Sequence, residues 1–465
     1  MRTNGDHPNI ILINCDDLGY GDLGCYGSPV NDTPTLDRMA AEGLRLTDFY
    51  MASPVCSPSR GAMMTGCYPP RIGFGAFDDG AWVLFPGHHT GLHRDEITIA
   101  DLLRGRGYAT RIIGKWHCGD QPEFLPTRHG FDGYFGIPFS NDMGRQAQFA
   151  SEWAHPLPLL RDEEVIEQQP DQASLTERYV EDGVRFIRAS AGRPFFLYLA
   201  HLYVHLPIYA QENFLRRSRN GPFGGAMACV DWAAAVLRHE LRRLGIERNT
   251  LIVFTSDNGA RGDHGGSNAP LRGRKGTTWE GGQRVPCILY GPGLVPGGRT
   301  SSEIVSSLDF LATFAGLAGA EPPSDRALDS LDFGGLLRGR PGARSPRDTF
   351  FYYLCNNLGA VRHGRWKLHV ARRDGDGRSW VEVRELYNLE ADIAETADVA
   401  ARHPEVVSDL MKRIEACRAD LGDVRLGLRG ANVRPAGWVE DAKPLTLYDE
   451  HHPYIQAEYD LPDRG

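Results

Sequence analysis

The chain has 465 residues, of which 41% are hydrophobic and 24% charged, and it carries a net charge of −9. That is an ordinary globular composition, with material for a large core and more than one domain. The acidic balance offers nothing to nucleic acid, no apolar run is long enough for a bilayer span, and any cations that meet an anionic ligand must be gathered locally. The nine cysteines are odd in number, scattered and without a CxxC pair, which suits a reducing compartment better than a disulfide framework. Met1 to His7 do not read as a leader, so the expected location is cytoplasmic, or periplasmic or secreted if a leader has been removed.

In chain order, Asn9 to Asn14 is a continuous apolar run, the pattern of a strand buried on both faces of a parallel sheet. It ends in Asp16-Asp17. Adjacent carboxylates leaving a buried strand suit a hard cation such as calcium or magnesium, but also an ordinary solvated turn. Thr33 to Gly43 predicts a capped helix with Leu36, Met39 and Ala40 inward. Next comes Cys56-Ser57-Pro58-Ser59-Arg60, closed by Gly66. Ser57 suits an N-cap and Pro58 the first helical turn, which sets Cys56 at a helix start where negative charge is favoured, with Arg60 a turn later. A thiolate phosphatase loop would place five residues between Cys and Arg; here there are three. An incidental buried cysteine is the plain alternative.

Residues 74–95, rich in Gly, Phe, His and Asp, read as a loop over this region, its histidines on the surface rather than ligating. A helix over 97–107 leads to the strand Ala109 to Gly114 and then to Lys115 and His117, which would point the same way in an extended chain. Residues 130–142 read as a loop with aromatic anchors and 151–172 as a surface excursion. A helix over 175–191 precedes the strand Pro194 to Ala200, which discharges His201 and His205. A helix over 226–244 precedes the strand Leu251 to Ser256, which ends in Asp257-Asn258, a second pair of oxygen donors. The basic, glycine-rich run Arg272 to Gly282 contains Lys275, and such runs are usually solvated. From about residue 346 four short strands (349–354, 358–363, 366–371, 381–387) predict an antiparallel meander, covered by a helix over 403–421. The expected domains are 1–345 and 346–465.

Four apolar strands thus end in metal-ligating acids, a lysine and histidines, and in open α/β sheets the functional crevice lies beyond the carboxyl ends of the strands. With Asn9 to Asp22, Cys56 to Gly66, Gly114 to Gly119, Phe195 to Pro207, Thr255 to Gly259 and Lys275 to Gly282, the chain resembles the type I sulfatases of the alkaline phosphatase superfamily over nearly its whole length. Gly136 to Ser140 and Pro323 to Ala327 are most similar to the arylsulfatase A and N-acetylgalactosamine-6-sulfatase branch, whereas Cys118 stands where the family usually has leucine.

The resemblance implies an alkaline phosphatase-like α/β fold, with a large mostly parallel sheet and a smaller C-terminal antiparallel sheet plus helix. It implies a sulfuric ester hydrolase in which Cys56 is oxidised to formylglycine by a formylglycine-generating enzyme. Asp16, Asp17, Asp257, Asn258 and the modified Cys56 would bind calcium, with magnesium as the other candidate. Arg60 and Lys115 would stabilise the formylglycine hydrate, and His117 would take the proton of its second hydroxyl, expelling sulfate from a covalent ester by C–O cleavage. His205 and Lys275 would contact the sulfate and leaving oxygen, and Ser140 the sulfate. The expected partner is a sulfated small molecule or glycan. The competing readings are a phosphate or phosphonate monoester hydrolase on the same fold, and a catalytically silent relative that binds sulfated glycans. Oligomeric state has no signature in the sequence.

Overall fold

A computed structural model describes residues 7–145, 155–373 and 379–456. Ten strands form the main sheet. They are β1 (Asn9–Cys15), β2 (Leu44–Leu46), β3 (Ala109–Gly114), β4 (Gly133–Gly136), β5 (Pro158–Arg161), β6 (Glu164–Gln168), β7 (Phe195–Ala200), β8 (Thr250–Ser256), β9 (Cys287–Tyr290) and β10 (Arg299–Ser301). Their spatial order is β10-β2-β9-β8-β1-β7-β3-β4-β5-β6. The four strands with polar ends, β8, β1, β7 and β3, are consecutive neighbours, all parallel, in registers that pair Cys15 with Ser256, Asn14 with Ala200 and Gly114 with Ala200. Their carboxyl ends therefore open on one rim.

Alternation within these strands feeds two separate cores. Ile10, Leu12, Phe196 and Tyr198 pack on one side with Met63, Phe310 and Phe314; Ile11, Ile13, Leu197 and Leu199 pack on the other with Leu36, Met39, Val230 and Leu237. The helices that supply the two cores are α1 (Pro34–Glu42), α2 (Cys56–Thr65), α3 (Ile99–Gly105), α4 (Leu175–Ser190), α5 (Gly221–Arg243) and α6 (Phe310–Ala318). In α1 the residues inside are Leu36, Met39 and Ala40, as the periodicity predicts.

Two stretches differ from expectation. Residues 133–136 are strand β4 within the expected loop. Of the expected surface excursion, 151–154 lie outside the described residues, and much of the rest is the hairpin β5–β6 that extends the sheet antiparallel to β4. Pro158, Leu159 and Leu160 are buried there, whereas β6, at the sheet edge, is half-exposed and acidic. Proline at the first residue of a strand costs no ladder bond, so the composition concealed a strand.

The C-terminal meander matches its prediction: β11 (Thr349–Leu354), β12 (Asn357–His363), β13 (Trp366–Arg373) and β14 (Trp380–Asn388) pair antiparallel in sequence order. Helix α7 (Pro404–Leu421) covers it through Val407, Leu410, Ile414 and Leu421. Beyond it the chain returns to the loop 74–95, where Gly437-Trp438 pairs with Thr90-Gly91. The tail after 456 lies outside the described residues. Among the described residues the cysteines are free and no helix is long and apolar enough to cross a membrane.

Candidate active site

The rim of β8-β1-β7-β3 holds the predicted residues together. Ligand atoms of Asp16, Asp17, Cys56 and Asp257 lie within 4.8 Å of one another, all buried. The main-chain N–H of Asp17 donates to Oδ1 of Asp257 at 3.2 Å, and Asn258 Nδ2 donates to Oδ1 of Asp17 at 2.7 Å. Asp17 adopts a left-handed backbone (φ 59°), a sparsely populated state for a side-chain-bearing residue and one that clusters at functional sites.

Helix α2 begins earlier than the composition suggests. Val55 is the extended N-cap residue (φ −142°, ψ 153°) and Cys56 the first helical residue. Ser57 does not cap, because its Oγ accepts the N–H of Leu84 at 3.0 Å. Pro58 falls at the third position, where an N–H is still not needed for the helix. Gly66 closes the helix in the left-handed conformation (φ 66°) as expected. The Cys56 thiol lies 3.5 Å from Oδ1 of Asp16. Burial, with the Asp16 charge added, pushes that thiol well above its ordinary range, against the helix-start effect.

Cations ring the acids. Arg60 Nε donates to Oδ2 of Asp257 at 2.9 Å, and its Nη1 to the carbonyl of Lys115 at 2.9 Å. Lys115 Nζ reaches Oδ2 of Asp16 at 2.5 Å and Ser140 Oγ at 3.1 Å, so Ser140 belongs to the cluster. Lys275 Nζ lies 2.7 Å from Oδ1 of Asp17, which takes it out of the solvated run its composition suggests. His205 stands 3.6 Å from Asp17 through Nε2, while its Nδ1 donates to the Leu206 carbonyl at 2.5 Å. His201 is buried apart from this set; with neither ring nitrogen partnered, burial brings it down to about 3.

Lys115 and His117 do not leave β3 in extended geometry. Gly114 turns at φ 103°, where a Cβ would fall 1.8 Å from the Ala200 carbonyl, and His117 itself has φ 61°. Its Nε2–H donates to the Leu84 carbonyl at 2.9 Å, which assigns the lone pair to the buried, unpartnered Nδ1. Burial, and then Lys115, hold the ring well below its usual pKa and therefore neutral. The loop 74–95 does lie over the site, through Leu84; the sequence carries no signal for a carbonyl in that role. His89 stacks on Trp438 at 4.9 Å rather than ligating.

The acids titrate apart. Burial and the neighbouring Asp16 raise Asp257 to about 6. Asp16 goes the other way: burial opposes ionisation, but Lys115, His205 and Arg60 more than offset it. Three carboxylates and an amide oxygen form a hard donor set. Oδ1 of Asn258 is buried without a hydrogen-bond partner, an acceptor that a bound cation would satisfy. The residues fit a divalent metal ion. A surface cavity of about 340 Å³ lined by Phe214 and Trp232 lies elsewhere, and none of the predicted site residues lines it.

Comparison with known proteins agrees with this geometry. Residues 8–320 match the sulfatase family, and 345–443 match the C-terminal region of aryl-sulfatase. The chain is 39% identical over 392 residues to N-acetylgalactosamine-6-sulfatase of Rattus norvegicus, covering 81% of this chain and 74% of that one. It is 38% identical over 456 residues to arylsulfatase A of Homo sapiens, covering 89% and 88%. Among solved structures, Ps i-CgsB in complex with k-i-k-neocarrahexaose superposes with a TM-score of 0.78 at 30% identity, covering 98% of both chains. With a family match across the whole catalytic sheet and a buried acid–cysteine cluster at its rim, the chain belongs to the sulfatase family of the alkaline phosphatase superfamily and is a sulfuric ester hydrolase.

Proposed function

We propose that this enzyme cleaves sulfate monoesters of sugars or phenols, with Cys56 oxidised to formylglycine and a calcium ion (or magnesium) held by Asp16, Asp17, Asp257, Asn258 and residue 56. One observation carries the reading: Cys56 opens a helix with its side chain in a buried acid cluster, ringed by Arg60, Lys115 and Lys275. A sulfated sugar is the preferred substrate class, in keeping with the name of the N-acetylgalactosamine-6-sulfatase relative.

When bound, the ion polarises sulfuryl oxygens and eases ionisation of the attacking hydroxyl that the oxidised residue 56 supplies. The chain's own residues do the rest. Arg60 and Lys115 hold two positive charges beside residue 56 and favour its ionised hydroxyl; Lys115 also orients Ser140, which is assigned to the sulfate. His117 presents a neutral Nδ1 in a buried setting, suited to take a hydroxyl proton, a role typically worth about 10²–10⁴-fold. Cleavage builds negative charge on the bridging oxygen. Lys275 and His205, both beside Asp17, would stabilise that charge more in the transition state than in the ground state.

The test is a mass spectrum of the tryptic peptide containing residue 56, joined to rates on an aryl sulfate and the matching aryl phosphate. The expected result is formylglycine at residue 56 and faster turnover of the sulfate. Unmodified cysteine in fully active enzyme, or a preference for the phosphate, would overturn the reading.

A further inference from the structure

Exposure around the charge cluster is uneven. The side chains of Asp16, Arg60 and Lys115 are 0% exposed, those of Asp17 and His205 4% and 6%, and that of Lys275 16%. A sulfate seated among these groups leaves the organic part of its ester to reach solvent, and the gradient sends it past Lys275. The next residue, Gly276, has φ 78°, and a Cβ there would come 3.2 Å from Cζ3 of Trp82. Trp82 therefore stands beside the exit.

Hydrogen bonds hold the segments on either side of the indole, and one cation–π contact meets the ring itself. Leu84, two residues on, donates its N–H to Ser57 Oγ at 3.0 Å, and its carbonyl accepts from His117 at 2.9 Å. Across from it, the N–H of Gly276 donates to the carbonyl of Pro54 at 2.9 Å, which pins the Lys275 loop to the segment that leads into Cys56. The guanidinium of Arg373 lies 3.8 Å from the centre of the Trp82 ring, a cation–π contact from the C-terminal sheet. Yet the residue remains 39% exposed while Leu84 is buried. Part of the ring therefore stays open to solvent at this point.

We propose that Trp82 is a specificity-determining platform at the mouth of the site, on which the six-membered ring of the leaving group stacks. Its ligand is a ring whose face is apolar, either the C–H face of a pyranose or the π face of a phenol. This rests on the sulfate-ester reading and deepens it by naming what the enzyme requires beyond the sulfate. Aromatic contacts of this kind shift affinity by about three- to tenfold beyond area burial.

The test measures binding independently of turnover. Dissociation constants for glucose 6-sulfate, 4-nitrophenyl sulfate and inorganic sulfate are determined by calorimetry in the Cys56→Ala background, with Trp82 intact, Trp82→Ala or Trp82→Phe. The expected result is a three- to tenfold loss for at least one ring ester in Trp82→Ala, recovery of most of it in Trp82→Phe, and no change for inorganic sulfate. The ester that loses more identifies the ring the platform favours. Equal weakening of inorganic sulfate, no weakening of either ester, or esters that bind no tighter than inorganic sulfate with Trp82 intact would each overturn the proposal. Active wild-type enzyme with an unaffected Trp82→Ala refutes the platform alone, whereas platform-dependent binding without any sulfate-ester turnover refutes the reading beneath it.

Discussion

Three acids and three cations meet twice in this molecule. One set is Asp16, Asp17 and Asp257 with Arg60, Lys115 and Lys275 at the sheet rim. The other is Asp48, Glu280 and Glu395 with Arg284, Arg362 and Lys367, where the C-terminal sheet meets the catalytic one. The second set is closed. Glu280 accepts from Tyr50, Tyr352, Arg284 and Lys367, and Glu395 accepts from Lys367, His369 and the N–H of Glu280. No buried polar atom of those six side chains lacks a partner. The first set is open: Arg60 Nη2, Asn258 Oδ1 and His117 Nδ1 are buried in or beside it without hydrogen bonds. Each such atom costs about 1–3 kcal/mol. Equal charge counts therefore go with different arrangements: one cluster joins two sheets, and the other keeps polar atoms that a bound cation and anion would satisfy under the proposed function.

The largest effect that would break this contrast is at Cys56. In Cys56→Ala, turnover of an aryl sulfate is expected to fall about 10⁴-fold or more, the scale seen when a nucleophile is removed, with the melting temperature little changed. Retained activity in that variant would sink the assignment of the open cluster. Glu280→Gln should do the converse. Removing one charge from this closed buried set leaves three cations to two acids, Lys367 held by Glu395 and Arg284 by Asp48, so one buried positive charge is uncompensated at a cost of about 3–5 kcal/mol of stability, readable by denaturant titration.

That variant also sharpens the contrast through pH. Burial alone would raise the Glu280 pKa, but Lys367, Arg284 and Arg362 together hold it well below its ordinary 4.5. A depressed carboxylate contributes stability that is fully present above the unfolded-state value and is lost as pH falls below it. Wild-type stability should therefore decline steeply below about pH 4.5, with a flatter acid limb in Glu280→Gln. An unchanged acid limb would deny Glu280 this role.

Lys275→Ala should cost about 10²-fold on a sugar sulfate and distinctly less on a nitrophenyl sulfate, because a phenolate needs less charge stabilisation than an alkoxide. Equal losses on both would remove Lys275 from the leaving oxygen. On stability, the smaller effect is expected from chelation. Stripping an ion held at a hundred times its Kd lowers stability by about 2.7 kcal/mol, and added calcium restores it along with activity. Calcium should leave the Glu280→Gln deficit untouched; a rescue there would erase the distinction between the clusters.

The separation between what was legible and what was not follows the range of the interactions. Continuous apolar runs revealed β1, β3, β7 and β8, alternation with turn residues revealed the C-terminal meander, and 3.6-residue spacing placed Leu36, Met39 and Ala40 inside α1. The polar residues at the strand ends were legible too, since Asp16, Asp17, Lys115, His117, His205, Asp257 and Asn258 each follow a readable strand. These are local facts, set by periodicity and residue type, and the amino-acid order alone determined them.

Tertiary structure decided the remainder. Ser57 was a sound cap by type, but the N–H of Leu84 claims its hydroxyl and the cap passes to Val55. Lys275 sat in a run that composition assigns to solvent, and Asp17, 258 residues away, draws it in. His117 turns left-handed because its ring meets a carbonyl 33 residues back and its own N–H donates to the Pro138 carbonyl. The hairpin at 158–168 exists because β4 offers an edge, and Glu280 finds Lys367 across 87 residues. A window along the chain holds one partner of each such pair, and the free energy that selects the arrangement belongs to the pair once both are desolvated together.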